Sequence, residues 1–361
     1  MAALHTTRLK RWGGPLLAVA FVLTGCGGTP AGGQGPGNEQ APVPVPGWFG
    51  GYLDVTVPPG PALENAAGGR ATTLLAFVTA DPAQPCVPSW GGAVSLDEAA
   101  RTLQLDDKIR KFRAGGNDVA LSFGGQRGPE LATVCQDAAA LAEAYATVVN
   151  RYSLNVVDLD VEGQAADPVA AKARAEALAR IQAARPKGNP LRVWLTLPVA
   201  RDGLGSKGKD NVKAMLSAGV ELAGVNIMTM NFGPLREGET MLAASQLAAE
   251  ATHQDLEQLY SDAGRPADAG KIWQGMGLTP MVGDNDVEGN TFSVQDASGL
   301  NSFARERGIG RLSLWSINRD NGCSPLATDG PQGPSADCSG VEQDAGDFTR
   351  ALSNSFTGSS Q

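Results

Sequence analysis

Asn155-Val156-Val157-Asp158-Leu159-Asp160-Val161-Glu162 is the stretch on which the reading of this chain turns. From Val157 onward it alternates between apolar and acidic. A β-strand sends successive side chains to opposite faces. Val157, Leu159 and Val161 therefore share one face, and Asp158, Asp160 and Glu162 the other. If the apolar face packs on helices, the acids point into the middle of the sheet. Carboxyls there are costly to desolvate and repel one another. Burial and repulsion predict a proton shared among them, with Glu162 raised enough to act as a general acid near neutral pH.

Outward from this strand, short β-branched runs alternate with alanine-rich amphipathic stretches. Strands are expected at 52–57, 74–79, 119–123, 156–161, 193–197, 225–230, 272–278 and 312–316. Helical patterns fall around 131–152, 168–184, 212–218, 241–263 and 293–307, and Ser95-Leu96-Asp97-Glu98 has the form of a capping box. Asp167-Pro168 reads as a cap followed by a first-turn proline. Eight strands interleaved with helices predict an α/β fold, a (β/α)8 TIM barrel in one catalytic domain. The competing architecture is an open doubly wound sheet. Gly124-Gly125 follows the third strand but lacks the GxGxxG form that a phosphate-binding turn would show. In a barrel, functional groups sit at the C-terminal ends of strands, and Glu162 occupies such an end.

Three chemistries compete for the acidic strand. It could be a solvated face, although its central place among eight strands argues against that. It could hold Mg²⁺ or Ca²⁺, with Asp284 and Asp286 contributing from the loop after the seventh strand. The third reading, glycoside hydrolysis, accounts best for a strand-end acid with a second carboxyl behind it. Most glycosidases set two carboxyls on opposite sides of the scissile bond. Here the sixth strand runs into Met230-Asn231 and the eighth carries Trp315, so no opposing carboxylate is evident. That pattern suits substrate assistance, in which the sugar's own 2-acetamido group attacks the anomeric carbon.

The strand resembles the Asp-x-x-Asp-x-Asp-x-Glu signature of the family 18 glycoside hydrolases, the chitinases and their relatives, with Asn155 in place of the first acid. Ser122-Phe123-Gly124-Gly125 is similar to the family's third-strand motif, Met228-Thr229-Met230-Asn231 to its sixth, and Trp315 to the tryptophan of its eighth. The resemblance implies roles. Glu162 would protonate the glycosidic oxygen and later activate water. Asp160 would hold the acetamide, and Asp158 would share a proton with Asp160. Trp315 would floor the sugar site, and Met228, Met230 and Asn231 would line it. Met230 and Asn231 replace a Tyr and an Asp of many members, so the acetamide needs another donor. The expected activity is retaining hydrolysis of β-1,4-linked N-acetylglucosamine glycans, without a cofactor. A carbohydrate-binding barrel and an endo-β-N-acetylglucosaminidase are the alternatives. Among other aromatics, Trp194 and Trp273 fall inside expected strands and read as core. Trp90, in a Pro/Gly-rich loop, is a candidate glycan contact, as is Gln126 after the glycine pair.

The ends of the chain carry different information. Arg8, Lys10 and Arg11, an apolar stretch from Pro15 to Leu23, and Leu23-Thr24-Gly25-Cys26 read as an export signal with a lipobox. An ordinary signal peptide is the plainer alternative. The expected organisation is a leader at 1–25, a Gly/Pro-rich tether at 26–46, the barrel at 47–355 and a tail at 356–361. An exported protein anchored to a bacterial membrane through a lipid on Cys26, and a monomer, is the reading. Export implies an oxidising compartment. Of the four remaining cysteines, Cys323 and Cys338 are close in sequence and pair first, leaving Cys86 with Cys135. Only His5 and His253 exist, which removes histidine-based triads and metal clusters. A net charge of −9 with no basic run excludes nucleic acid as an expected partner.

Overall fold

A computed structural model describes residues 47–57, 63, 72–323 and 334–360. The leader, Cys26 and the tether lie outside the described residues.

The chain opens with β1 (Trp48–Phe49) and β2 (Tyr52–Asp54), followed by β3 (Thr72–Asp81), β4 (Gln84–Trp90) and β5 (Val94–Ser95). Helices α1 (Leu96–Thr102) and α2 (Leu105–Ala114) lead to β6 (Asp118–Gly124), and α3 (Leu131–Val134) and α4 (Ala138–Arg151) to β7 (Val156–Asp160). Then come α5 (Pro168–Ala184), β8 (Arg192–Pro198), α6 (Ser206–Ser217), β9 (Leu222–Met228), α7 (Met241–Asp262), α8 (Ala269–Gln274) and β10 (Met276–Thr279). The small pair β11 (Gly283–Asp284) and β12 (Thr291–Phe292), α9 (Val294–Arg307), β13 (Arg311–Leu312) and α10 (Asp347–Ser353) complete the order.

The main sheet runs β13-β10-β9-β8-β7-β6-β3 in parallel, with β1 beside β13 and β2 beside β3. The segment 48–54 joins its two ends. Trp48 N, Gly50 N and Tyr52 N donate to Gly310 O, Leu312 O and Leu314 O, while Leu74 N donates to Gly51 O. This is the barrel arrangement that the alternation of strands and helices predicted. A hairpin departs from it: β4 runs antiparallel to β3, and β5 antiparallel to β4.

Local chemistry sets most boundaries. The Asp167 side chain caps Val169 N with Pro168 in the first turn of α5, as expected. Ser95 caps Glu98 N to open α1. The helix expected over 131–152 is instead two. Cys135 takes an extended backbone and is bonded to Cys86, and Asp137 then caps α4 afresh. The strand expected over 272–278 starts late. Asp268 caps Lys271 N, so Ile272 and Trp273 belong to α8, Gly275 ends the helix, and only then does β10 begin. Trp273 remains core, stacked on His253 with centroids 4.2 Å apart. The eighth strand is also shorter than expected; beyond Leu312 the pairing continues through single backbone bonds, such as Ser313 N to Leu278 O, and a bridge between Met281 and Trp315. Both disulfides pair as expected, Cys86–Cys135 and Cys323–Cys338.

Candidate active site

β7 lies at the centre of the sheet, between β6 and β8. Val157, Leu159 and Val161 are fully buried on the helix side, so Asp158, Asp160 and Glu162 climb the barrel interior towards the strand's C-terminal end. In register, Asp158 sits between Ser122 and Trp194, and Asp160 between Gly124 and Thr196.

Asp158 is deepest and wholly buried. Its Oδ1 accepts from Thr196 Oγ1 and Arg311 Nη1, both at 2.7 Å. Its Oδ2 accepts from the Tyr52 hydroxyl at 2.9 Å and Ser122 Oγ at 2.7 Å. Four groups thus surround its two oxygens, and three of them are hydroxyls, which can accept as well as donate. One step higher, Asp160 is 4% exposed, and its Oδ1 is buried without a hydrogen-bond partner among the described residues. Burial first, then the charges of Glu162 and Asp158, push its pKa well above the ordinary carboxyl value. Glu162 ends the series half-buried, raised by burial and by the nearby charge of Asp286.

Two backbone features hold this strand end. Gly125 N donates to Asp160 O at 3.0 Å. Gly124 has φ +97°, and a Cβ there would stand 2.1 Å from Asp160 O, so the position admits only glycine. Behind Glu162, the turn 163–166 is tied to a buried charge network. Arg174 Nη2 donates to Ala165 O and to Glu130 Oε2, both at 2.8 Å, and Nη1 donates to Asn211 at 3.0 Å. The Tyr145 hydroxyl donates to the other oxygen of Glu130.

Asp160 and Glu162 open into a cavity of about 220 Å³. Trp315 forms one wall, stacked on Phe77 with centroids 5.2 Å apart and planes at 22°. Met228, Met230 and Met281 supply an apolar side, and Gln126 stands at the rim. Asn231 takes the left-handed conformation, φ +53°, which asparagine tolerates better than most residues. Its amide grips the loop opposite: Nδ2 donates to Asp286 Oδ2 at 3.0 Å, and Asp286 N donates to its Oδ1 at 2.9 Å. An amide can both donate and accept here; a carboxylate in its place would set two anions together.

The cavity thus gathers Glu162, Asp160, Trp315, Met228, Met230, Asn231 and Gln126, with Asp158 directly beneath. Trp90 does not belong. It is fully buried and donates Nε1–H to the Tyr152 hydroxyl at 3.1 Å, so the expectation of a glycan contact there is overturned. A buried indole finds a partner for its N–H in this way. The expectation that no opposing carboxylate exists also needs amendment, because Asp286 lines the same cavity from another loop. Phe77, Tyr52 and Arg311 were not legible as site residues. Phe77 and Tyr52 sit in apolar runs and read as core. Arg311, a lone cation opening a buried strand, carried a signal: such a charge needs an anion nearby. No group of three or more His, Cys, Asp or Glu among the described residues is arranged to hold a metal ion.

The fold matches the active domain 2 of a thermostable chitinase from Pyrococcus furiosus, solved as catalytic-site mutants complexed with chito-oligosaccharides, with a TM-score of 0.72, 28% identity, and coverage of 86% of this chain and 95% of that one. In sequence the chain is 33% identical over 298 residues to a probable bifunctional chitinase/lysozyme of Escherichia coli, covering 78% of this chain and 32% of the relative. It is 32% identical over 298 residues to Endochitinase 11 of Metarhizium anisopliae, covering 78% of this chain and 55% of that one. The chain therefore spans about a third and about half of these two relatives' lengths. At 19% identity and a TM-score of 0.53, a family 18 chitinase from Pseudoalteromonas aurantia shares the fold. No family model matches. The homologues and structural neighbours of this chain are chitinases, and its α/β fold is that of family 18 catalytic domains.

Proposed function

We propose that this chain is a family 18 glycoside hydrolase that cleaves β-1,4-linked N-acetylglucosamine glycans, chitin or chitooligosaccharides, with retention of configuration. The observation that carries the reading is the orphaned, buried Oδ1 of Asp160 beside Glu162 in one cavity. A raised Glu162 is protonated when substrate arrives and serves as the general acid. The acetamide oxygen attacks C1, the C1–O4 bond breaks, and the Glu162 proton passes to O4. Asp160 takes the acetamide N–H and charge-balances the ring that forms. Water then adds to C1 and gives its proton to Glu162, the ring reopens, and the original configuration returns. Trp315 and Phe77 pack against the sugar. The site carries no tyrosine hydroxyl at position 230, and the Gln126 amide at the rim of the same cavity is a group able to donate to the acetamide.

The test is product release from N-acetylchitooligosaccharides by the purified chain and by Glu162→Gln. The variant is expected to lose about 10²–10⁴ in kcat with KM little changed. Equal, near-zero release from both would reject the enzyme reading, and binding without release would favour a carbohydrate-binding barrel. We also propose export and lipidation at Cys26; a mature N-terminus elsewhere would refute that.

A further inference from the structure

Glu162 stands at the N-cap position of the turn 163–166, but its side chain makes no capping bond there. Where the carboxyl points depends on how the turn itself is held. Gly163 takes φ +53°, and even a Cβ at that position would meet nothing within 4 Å, so packing does not set the direction of the chain. Within the turn, Ala165 N donates to Glu162 O at 2.8 Å and Asp167 N to Gln164 O at 3.0 Å.

The carbonyls of Ala165 and Ala166 are taken up by two helices. Arg174 of α5 donates from Nη2 to Ala165 O at 2.8 Å, and Asn211 of α6 donates from Nδ2 to Ala166 O at 3.3 Å. Arg174 Nη1 also donates to Asn211 Oδ1 at 3.0 Å, so one guanidinium supports both anchors. Arg174 is wholly buried, and so is its counter-ion Glu130. Glu130 accepts from Arg174 and from Ala132 N at 3.0 Å on one oxygen, and from the Tyr145 hydroxyl on the other. Glu130 ends the loop after β6, which carries Gln126 to the cavity rim. The ion pair therefore ties the loop after β6 to the turn after β7. Apolar residues of similar volume often stabilise a fold as well as a buried ion pair does. They cannot donate to peptide carbonyls, which a guanidinium fork does from several N–H groups at once.

We propose that Arg174 is a positioning residue for the hydrolysis: by holding Ala165 O directly and Ala166 O through Asn211, it fixes the turn that aims the Glu162 carboxyl at the scissile bond. The inference rests on the reading that Glu162 is the general acid.

The test compares wild type, Arg174→Lys and Glu162→Gln on two substrates, N-acetylchitooligosaccharides and the nitrophenyl glycoside of N-acetylchitobiose. A sugar leaves only with a proton from the acid, whereas nitrophenolate leaves with little help, so a misaimed acid harms the first substrate far more. Lysine keeps a charge beside Glu130 but not the fork. In Arg174→Lys, kcat/KM is expected to fall about 10–100-fold on the oligosaccharides and to stay within about threefold on the nitrophenyl glycoside. A merely structural role would lower the melting temperature and touch both substrates alike. An equal fall on both, or no fall on either, in folded Arg174→Lys would overturn the proposal. If that variant does not fold, Asn211→Ala, which keeps the ion pair and frees Ala166 O, is read by the same ratio: an unequal fall supports the proposal, and an equal or absent one rejects it. An inactive wild type, or Glu162→Gln as fast as wild type on the oligosaccharides, would instead refute the underlying catalytic reading.

Discussion

Asp160 and Glu162 are nearly the same chemical group, made different by what surrounds them. Glu162 owes part of its raised pKa to Asp286, which stands across the cavity. Replacing Asp286 with Asn removes that charge, so the Glu162 pKa falls. A general acid works only while protonated, and the alkaline limb of kcat against pH is expected to move to lower pH. An unmoved limb in a folded variant would show that burial alone sets the Glu162 pKa. Asp160 makes a prediction about stability. Its folded pKa lies above its unfolded value, so the native state binds the extra proton. The resulting penalty is absent at low pH and grows as pH rises through the window between the two values. Asp160→Asn removes it. The variant is expected to lose activity yet melt higher at neutral pH, by about 2–4 °C for each kcal/mol recovered, with the gain vanishing in acid. A lower melting temperature at neutral pH would contradict this account. Sequence alone showed the three acids and their shared face, because alternation is a local pattern. It did not show that Asp158 and Asp160 live in opposite surroundings, because Tyr52, Thr196 and Arg311 come from distant strands.

At the scale of the element, β7 places its acids through the neighbours that fix its height. Gly124 is the closest restraint. Gly124→Ala would drive a methyl into Asp160 O and force a left-handed φ on alanine. It is expected to cost about 2–4 kcal/mol of stability, and surviving protein should lose kcat more than KM. Denaturant unfolding and kinetics on the same sample measure both. A neutral substitution would mean that the strand end can shift freely. Element boundaries were legible where a capping residue announced them, as at Asp167-Pro168. They were not legible where a side chain's partner overruled periodicity. The break at Cys135 follows from a disulfide, and the late start of β10 from the Asp268 cap and Gly275. Trp90 was misplaced for the same kind of reason: its Pro/Gly-rich setting suggested a surface loop, whereas β4 carries it inward to Tyr152.

Across the whole molecule, the barrel was readable from the spacing of its strands, while its cross-links and its closure were settled by contacts between distant parts of the chain. Cys86–Cys135 ties the β3–β4 hairpin to the α3–α4 junction over 49 residues, and Cys323–Cys338 closes a loop of 15. On loop-closure entropy these bonds are worth about 4 and about 3 kcal/mol respectively. Replacing the first pair with serines is therefore expected to lower the melting temperature more than replacing the second; the reverse order would show that native-state strain outweighs chain entropy. The pairing of Arg311 with Asp158 also has a temporal side. Arg311 is 153 residues from Asp158 and 259 from Tyr52. A ribosome delivers the acidic strand long before it delivers the cation that balances it. Until β13 arrives, the growing chain carries a carboxylate with no counter-ion and a ring of strands with a gap. Burying Asp158 as an unpaired charge is unfavourable throughout that interval. Synthesis order thus places the ion pair at the heart of the barrel among the contacts that need nearly the whole chain before they can form.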